Sequence, residues 1–233
     1  MLKLAFVVQA RLSSSRLPCK SALTLVSGRN CISEVLYRIK DYNTGRGNTH
    51  AIILACPEEE RPFFEVLTRG DGFDIFGGDA DDLSKRFYDI VQSKNLDGVI
   101  RITGDNPYIC FDVLDFLFEN ISNKKQECIS FYHQKLLPNG TVVSYLGREY
   151  IRLVNEIGCV KSREHLVVSD NNEINECIVT PKIPHHLWWP TGRFCLDDVD
   201  DYKFLLSNTD IGDLTKVEQM MTQLAPRNWT GSY

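Results

Sequence analysis

The chain has 233 residues, with 26 Lys and Arg against 31 Asp and Glu, a formal net charge of -5, 43% hydrophobic and 24% charged residues. That length can bury a sizeable core within one domain over 1–233, and the composition is that of a globular protein. The acidic balance argues against a general nucleic-acid or membrane-surface binder, which needs a basic footprint.

The eight cysteines are scattered, with no C-x-x-C pair and no cysteine–histidine metal spacing. They read as reduced thiols of a cytoplasmic protein, several of them acting as small hydrophobes inside apolar runs. The start of the chain lacks signal-peptide architecture, and no apolar run approaches membrane-spanning length.

Strands and helices alternate through the first half. Leu2 to Val8 reads as a buried strand. Ile32, Val35, Leu36 and Ile39 follow helical spacing, and the Gly- and Asn-rich stretch from Asp41 to Asn48 reads as a turn. A second buried strand covers Ala51 to Ala55, then a polar helix Glu58 to Leu67 begins at Pro57. Phe73 to Phe76 is a short strand. Leu83, Phe87, Ile90 and Val91 mark a helix with Lys85 and Arg86 on or near its other face. Gly98 to Thr103 is the fourth strand, broken at Gly104-Asp105-Asn106-Pro107, and a helix from about Asp112 to Asn120 follows. This order predicts an α/β fold, a mostly parallel sheet with helices on both faces. Further on, 128–132 and 174–180 read as strands, 150–157 as a helix, Arg193 to Leu196 as a strand, Asp200 to Leu206 as a helix start and Thr215 to Leu224 as a final helix.

Two stretches point to chemistry. Directly after the first strand come Arg11, Ser13, Ser14, Ser15, Arg16 and Lys20. Three cations and three hydroxyls at the carboxyl end of a buried strand suit a polyanion, since guanidinium and ammonium groups give charge-assisted hydrogen bonds to phosphate oxygens. The plainer reading is a solvated connection, and neither a Walker A pattern nor G-x-G-x-x-G is present. Asp105 and Asp197 each follow an expected strand end, so both can reach one sheet edge and share a hard cation such as Mg²⁺. By spacing alone, a turn residue before Asn106-Pro107 and a helix N-cap or solvated acid within an acidic run are the favoured readings.

The run Gln9-Ala10-Arg11-Leu12-Ser13-Ser14-Ser15-Arg16-Leu17-Pro18-Cys19-Lys20 resembles the signature loop of the CMP-sugar synthetases. The branch is that of the 3-deoxy-manno-octulosonate and acylneuraminate cytidylyltransferases, closest in style to the spore-coat polysaccharide biosynthesis protein F group. Arg101-Ile102-Thr103-Gly104-Asp105-Asn106-Pro107 is similar to the family's second motif, and Leu196-Asp197-Asp198-Val199-Asp200-Asp201 to its third. Gly77 to Tyr88 resembles the stretch leading into the helix beside the nucleotide, and Ser162-Arg163-Glu164-His165 matches an Arg-Glu-His found late in the spore-coat type.

The resemblance implies a nucleotide-diphospho-sugar-transferase-like fold and Mg²⁺-dependent transfer of CMP from CTP. The acceptor would be an acidic sugar or carry a phosphate or phosphonate, and pyrophosphate would leave. It implies a loop of Ala10, Arg11, Leu12, Ser13, Ser14, Arg16 and Lys20 around the triphosphate, with Lys20 and Arg11 catalytic and Arg86 and Asp105 also at the nucleotide. Asp105 and Asp197 would hold Mg²⁺, and Arg163, Glu164 and His165 would meet the acceptor. On this pattern 1–120 is the nucleotide half, 121–190 the acceptor and homodimer region, and 191–233 the metal-ligand strand with C-terminal helices. Three departures stand out. Cys19 replaces the usual glycine, Asp198-Val199 replaces Thr-Pro, and acids are missing from Pro138 to Ser144. Two other readings stay open: a glycosyltransferase using Asp79-Ala80-Asp81 for its metal, and a non-catalytic nucleotide-binding relative.

Overall fold

The computed structural model describes residues 2–68, 72–121, 127–131, 134–157, 166–167 and 171–207. Its strands are β1 (Leu4–Gln9), β2 (Ala51–Pro57), β3 (Asp74–Gly78), β4 (Gly98–Thr103), β5 (Cys128–Ser130), β6 (Ser144–Gly147) and β7 (Ile178–Val179). Its helices are α1 (Cys31–Gly45), α2 (Arg61–Leu67), α3 (Leu83–Ser93), α4 (Phe111–Asn120), α5 (Arg148–Ile157), α6 (Asn172–Glu176) and α7 (Val199–Ser207).

The seven strands form one sheet in the order β3-β2-β1-β4-β6-β5-β7. β3, β2, β1 and β4 run parallel, β6 is antiparallel to β4 and β5, and β7 is parallel to β5. Side chains of β1 alternate between two cores, as strand pleating requires. Leu4, Phe6 and Val8 pack with Ile32, Val35, Leu36 and Ile39 of α1 and Val113, Leu114 and Leu117 of α4. Ala5 and Val7 face the other way, onto Leu83, Phe87, Ile90 and Val91 of α3 and Tyr150, Ile151 and Val154 of α5. Each large apolar side chain so buried contributes roughly 1.5–3 kcal/mol relative to exposure.

The chain leaves β1 toward β2 and β3 on one side, whereas β4 lies on the other. The connections that follow β1 and β4 therefore lead to opposite sides, and a crevice opens at the carboxyl ends of these two strands, beyond the contact of Gly104 with Gln9.

Several expectations are corrected. The turn read at Asp41 to Asn48 is helical to Gly45, because Tyr42 and Asn43 are buried: the Tyr42 hydroxyl donates to Asp115 Oδ1 at 2.9 Å and Asn43 Nδ2 to the His50 carbonyl at 2.8 Å. The strand read at 174–180 begins as α6, capped by Asn171 Oδ1 accepting from the N–H groups of Glu173 and Ile174, and only Ile178–Val179 is extended in the sheet. Arg193 to Leu196 is not a sheet strand; it holds a single bridge, Asn139 with Arg193. Arg86 is buried, 4% exposed, not on the outer face with Lys85. β6, all four residues buried, was not anticipated. The helix expected at 215–224 lies outside the described residues.

Candidate active site

The loop after β1 is fixed through its own backbone. Leu12 N–H donates to Glu60 Oε2 at 2.7 Å, and the Leu12 carbonyl accepts from Cys19 N–H at 3.1 Å. A 3-10 turn at Lys20–Ala22 closes the loop, entered through Cys19 at φ 56 and ψ 25. That left-handed conformation is strained for a residue with a Cβ and free for glycine. Cys19 therefore does not avoid the backbone geometry that glycine favours; it adopts it.

Asp105 follows β4 by two residues, placed by Gly104, whose N–H donates to the Gln9 carbonyl at 2.8 Å. A Cβ on Gly104 would meet Ile32 Cδ1 at 2.9 Å and Ala10 Cβ and Gln9 O at 3.0 Å, so glycine lets the two loops approach without displacing these neighbours. Asp197 arrives by a different route. The extended segment before it is held on one side by Asn139, whose carbonyl accepts from Phe194 N–H at 2.7 Å, and on the other by Leu196 N–H donating to the Asp105 carbonyl at 2.8 Å. Gly140 permits the first contact: it sits at φ +93, and a Cβ there would lie 2.6 Å from Phe194 C.

These routes bring together groups far apart in the chain. Lys20 Nζ lies 2.5 Å from Asp105 Oδ2 and 3.0 Å from Asp197 Oδ1, partners 85 and 177 residues away. Arg16 reaches Asp197 Oδ1 at 3.1 Å, and Arg193 reaches Asp197 Oδ2 at 3.5 Å. Arg193 also grips Asp201 through Nε at 2.5 Å and Nη2 at 2.8 Å. Asp201 in turn accepts from the N–H groups of Asp197 and Asp198 at 2.9 and 3.2 Å, which sets the turn carrying Asp197.

Burial pulls the Lys20 pKa down, but the charge of Asp105 and the hydrogen bonds to both carboxylates outweigh it, and the net shift is upward. Burial pushes the Asp197 carboxyl up, and Lys20 and Arg16 more than reverse this, leaving it below its ordinary value.

Two carboxylates already bridged by an ammonium form an oxygen donor set of the kind a hard divalent cation takes, and the ammonium marks where positive charge is accommodated. The donors fit. Cys195, Asp197 and Asp201 also lie within 4.8 Å of one another. That trio is not a comparable centre: burial and the Asp197 charge push the Cys195 thiol up to about 12, and Arg193 already closes Asp201.

A cleft of about 930 Å³ opens over this cluster. Ala10, Arg11, Ser14, Arg16, Lys20, Arg86, Asp105 and Asp197 line it, whereas Leu12 and Ser13 lie outside its lining. The Arg86 guanidinium is committed to the loop after β3, with Nε donating to the Asp79 carbonyl at 3.0 Å and Nη2 to Ala80 at 3.3 Å. Asp79 Oδ1 accepts from the N–H groups of Asp81 and Asp82, so the Asp79-Ala80-Asp81 triplet is built as a turn. Arg163, Glu164 and His165 lie outside the described residues. Trp188 stacks on His185 at 4.1 Å and Trp189 packs edge-on to Phe194 at 5.4 Å, while Pro190 reaches the cleft.

Sequence reasoning missed Glu60, Arg101, Arg193, Asp201 and Gly140. Arg101 lines the cleft, with its Nε donating to Gln9 Oε1 at 2.8 Å, and burial lowers its pKa. Its signal was a cation inside an otherwise apolar strand. Glu60 and Asp201 carried none, being single acids within acidic runs.

Comparison with known proteins gives the family and the fold. A family model described as cytidylyltransferase matches residues 5–184. The spore coat polysaccharide biosynthesis protein SpsF of Bacillus subtilis is 29% identical over 117 residues, covering 49% of this chain and 48% of that protein, so the match spans about half of that relative's length. Among solved structures, a cytidylyltransferase from Leptospira borgpetersenii superposes with a TM-score of 0.80 at 22% identity, covering 100% of both chains. CMP:2-keto-3-deoxy-manno-octonic acid synthetase complexed with CTP gives 0.58 at 15% identity over 95% of this chain and 99% of that one. These structures share the fold. With the family model spanning most of its length, the chain belongs to the cytidylyltransferase family of nucleotidyl-transferring enzymes.

Proposed function

We propose that this protein transfers CMP from CTP, with a divalent cation such as Mg²⁺, to an acidic sugar or an acceptor bearing phosphate or phosphonate, releasing pyrophosphate. The observation that carries the reading is the meeting of Lys20, Asp105 and Asp197 at the crevice beside the β1 loop.

In this reading Arg11, Arg16 and Lys20 neutralise the triphosphate, and the loop from Ala10 through Leu12, Ser13 and Ser14 surrounds it. Lys20 and Arg11 steady the α-phosphoryl group as an acceptor oxygen displaces pyrophosphate. Asp105 and Asp197 would hold the cation, which when bound supplies Lewis-acid polarisation of phosphoryl oxygens. Arg193 and Asp201 keep Asp197 in place. Positioning and charge neutralisation account for most of such a displacement, so the protein needs no covalent step. Arg86 acts at the nucleotide chiefly by holding the Asp79–Ala80 loop. Arg163, Glu164 and His165 are assigned to the acceptor. The glycosyltransferase alternative has no comparable support, because Asp79 serves the turn and the family is that of cytidylyltransferases.

The test is calorimetric titration of CTP, UTP, ATP and GTP with and without Mg²⁺, followed by a pyrophosphate-release assay on candidate acceptors. CTP selection that requires the cation supports the reading; absence of triphosphate binding overturns it. Asp105→Asn should cost about 10²-fold or more in turnover, the scale of losing one electrostatic partner of a transition state, with the fold retained. Near-normal turnover would remove Asp105 from the metal site.

A further inference from the structure

We propose that Lys20 couples nucleotide binding to metal binding: its ammonium holds Asp105 and Asp197 together in the free protein, and the triphosphate draws it away as the cation arrives. The inference rests on reading these two aspartates as the metal ligands.

The geometry sets up a competition. Lys20 Nζ lies at hydrogen-bond distance from one oxygen of each carboxylate, Asp105 Oδ2 and Asp197 Oδ1. A cation held by Asp105 and Asp197 would draw on these same two carboxylates, and the ammonium beside them would repel it. The ion-paired cluster is also balanced as it stands. Three carboxylates, Asp105, Asp197 and Asp201, face three cations, Lys20, Arg16 and Arg193. A divalent cation entering alone must break two charge-assisted hydrogen bonds and leave an ammonium beside it with no carboxylate. A triphosphate entering alone draws Lys20 off and leaves two carboxylates facing each other. Each arrival removes the obstacle to the other.

Residue type and position agree with this role. Lys20 stands at the end of the loop that carries Arg11, Ser14 and Arg16 along the same cleft, so its next partner lies nearby. An ammonium on a four-carbon stem exchanges partners by rotation about single bonds, whereas the guanidinium of Arg193 is clamped by two nitrogens on Asp201 and stays. Linkage makes the effect reciprocal: whatever factor nucleotide adds to metal affinity, metal adds to nucleotide affinity. The protein would thus take up the metal–nucleotide complex in preference to either component.

The experiment measures Mn²⁺ binding to the full chain without nucleotide, by electron paramagnetic resonance of the free ion. Lys20→Met should bind Mn²⁺ about 5- to 150-fold more tightly than the unmodified protein, the usual span of coupling between two sites. Lys20→Gln is the second variant, and circular dichroism checks that both fold. Affinity unchanged or weakened in the folded variants overturns the proposal. The double variant Lys20→Met/Asp105→Asn separates the two failures. Loss of the gained affinity keeps the metal at Asp105, whereas a gain that persists places the metal elsewhere and overturns the site reading itself. A measurement on the unmodified protein serves as well. Acetylation of Lys20, followed by mass spectrometry, should accelerate as Mn²⁺ approaches saturation, and a constant rate refutes displacement of the ammonium.

Discussion

Glu60 offers the sharpest test of how the loop after β1, assigned above to the triphosphate, is held. It comes from the turn between β2 and α2, and its Oε2 accepts from Leu12 N–H at 2.7 Å across 48 residues of chain. Hydrogen bonds to a charged acceptor are worth roughly 1.5–3 kcal/mol net, and partial exposure of Glu60 brings this to about 1–1.5 kcal/mol. That free energy restricts the loop to one arrangement before any ligand arrives. Glu60→Ala should therefore weaken CTP binding by roughly 5- to 10-fold, taking 1.4 kcal/mol per factor of ten. Glu60→Gln, which retains an acceptor oxygen without the charge, should lose about half as much free energy. Calorimetry with CTP and Mg²⁺ reads the affinity, and a melting curve confirms that global stability is little changed. Tighter binding in Glu60→Ala would refute the reasoning. It would mean that the carboxylate competes with phosphate for the Leu12 N–H and does not organise the loop.

Three further outcomes follow from the site's backbone and charges. Cys19→Gly relieves a left-handed residue at φ 56; the strain of about 1–2 kcal/mol, less the added freedom of glycine in the unfolded chain, leaves a gain of about 0.5–1 kcal/mol. Thermal melting should rise by about 1–4 °C, and a fall would contradict the strain argument. Gly140→Ala places a Cβ against the backbone of Phe194 at a φ of +93, so a loss of about 2–3 kcal/mol is expected, read as a melting drop of roughly 4–12 °C. The Lys20 cluster gives pH dependence at both ends. The Lys20 pKa is raised, so its stabilisation is complete below 10.5 and fades as pH climbs through the folded value. The Asp197 pKa is depressed, so its share is complete above 3.8 and fades as pH falls through the lower folded value. The melting gap between wild type and Lys20→Met should be flat between these limits and close beyond each; a gap that stays open in acid would exclude Asp197 as the partner.

What could be read in the sequence follows physical rules that hold locally. β1 and β2 announced themselves because strands buried on both faces are continuous apolar runs, and β4 did so despite Arg101 within it. The turn expected at 41–48 failed because Gly and Asn composition is a local preference, while the Tyr42–Asp115 and Asn43–His50 bonds are tertiary. β6 was invisible for the opposite reason. Ser144-Tyr-Leu-Gly147 is too short and mixed to show a period, and only pairing between β4 and β5 makes it a strand. For the site, the cations after β1 and the acid after β4 were legible as strand-end residues. The route of Asp197 was not, since it depends on Asn139, Gly140 and the Asp105 carbonyl.

That route bears on how such a site tolerates change. Asp197 is placed by a segment that belongs to no strand of the sheet, held by the two backbone hydrogen bonds to Asn139 and Asp105 and by the Arg193–Asp201 clamp. Its position therefore depends on the loop at Asn139–Gly140 as much as on the parallel strands. Changes in that loop therefore act on the Asp197 carboxylate through the Asn139–Phe194 bond. The nucleotide side is insulated by comparison: Lys20 and Asp105 are tied to the β1 and β4 ends, where Gly104 fixes the two loops against each other. The placement of Asp197 thus follows the Asn139–Gly140 loop, while that of Lys20 and Asp105 follows the ends of β1 and β4.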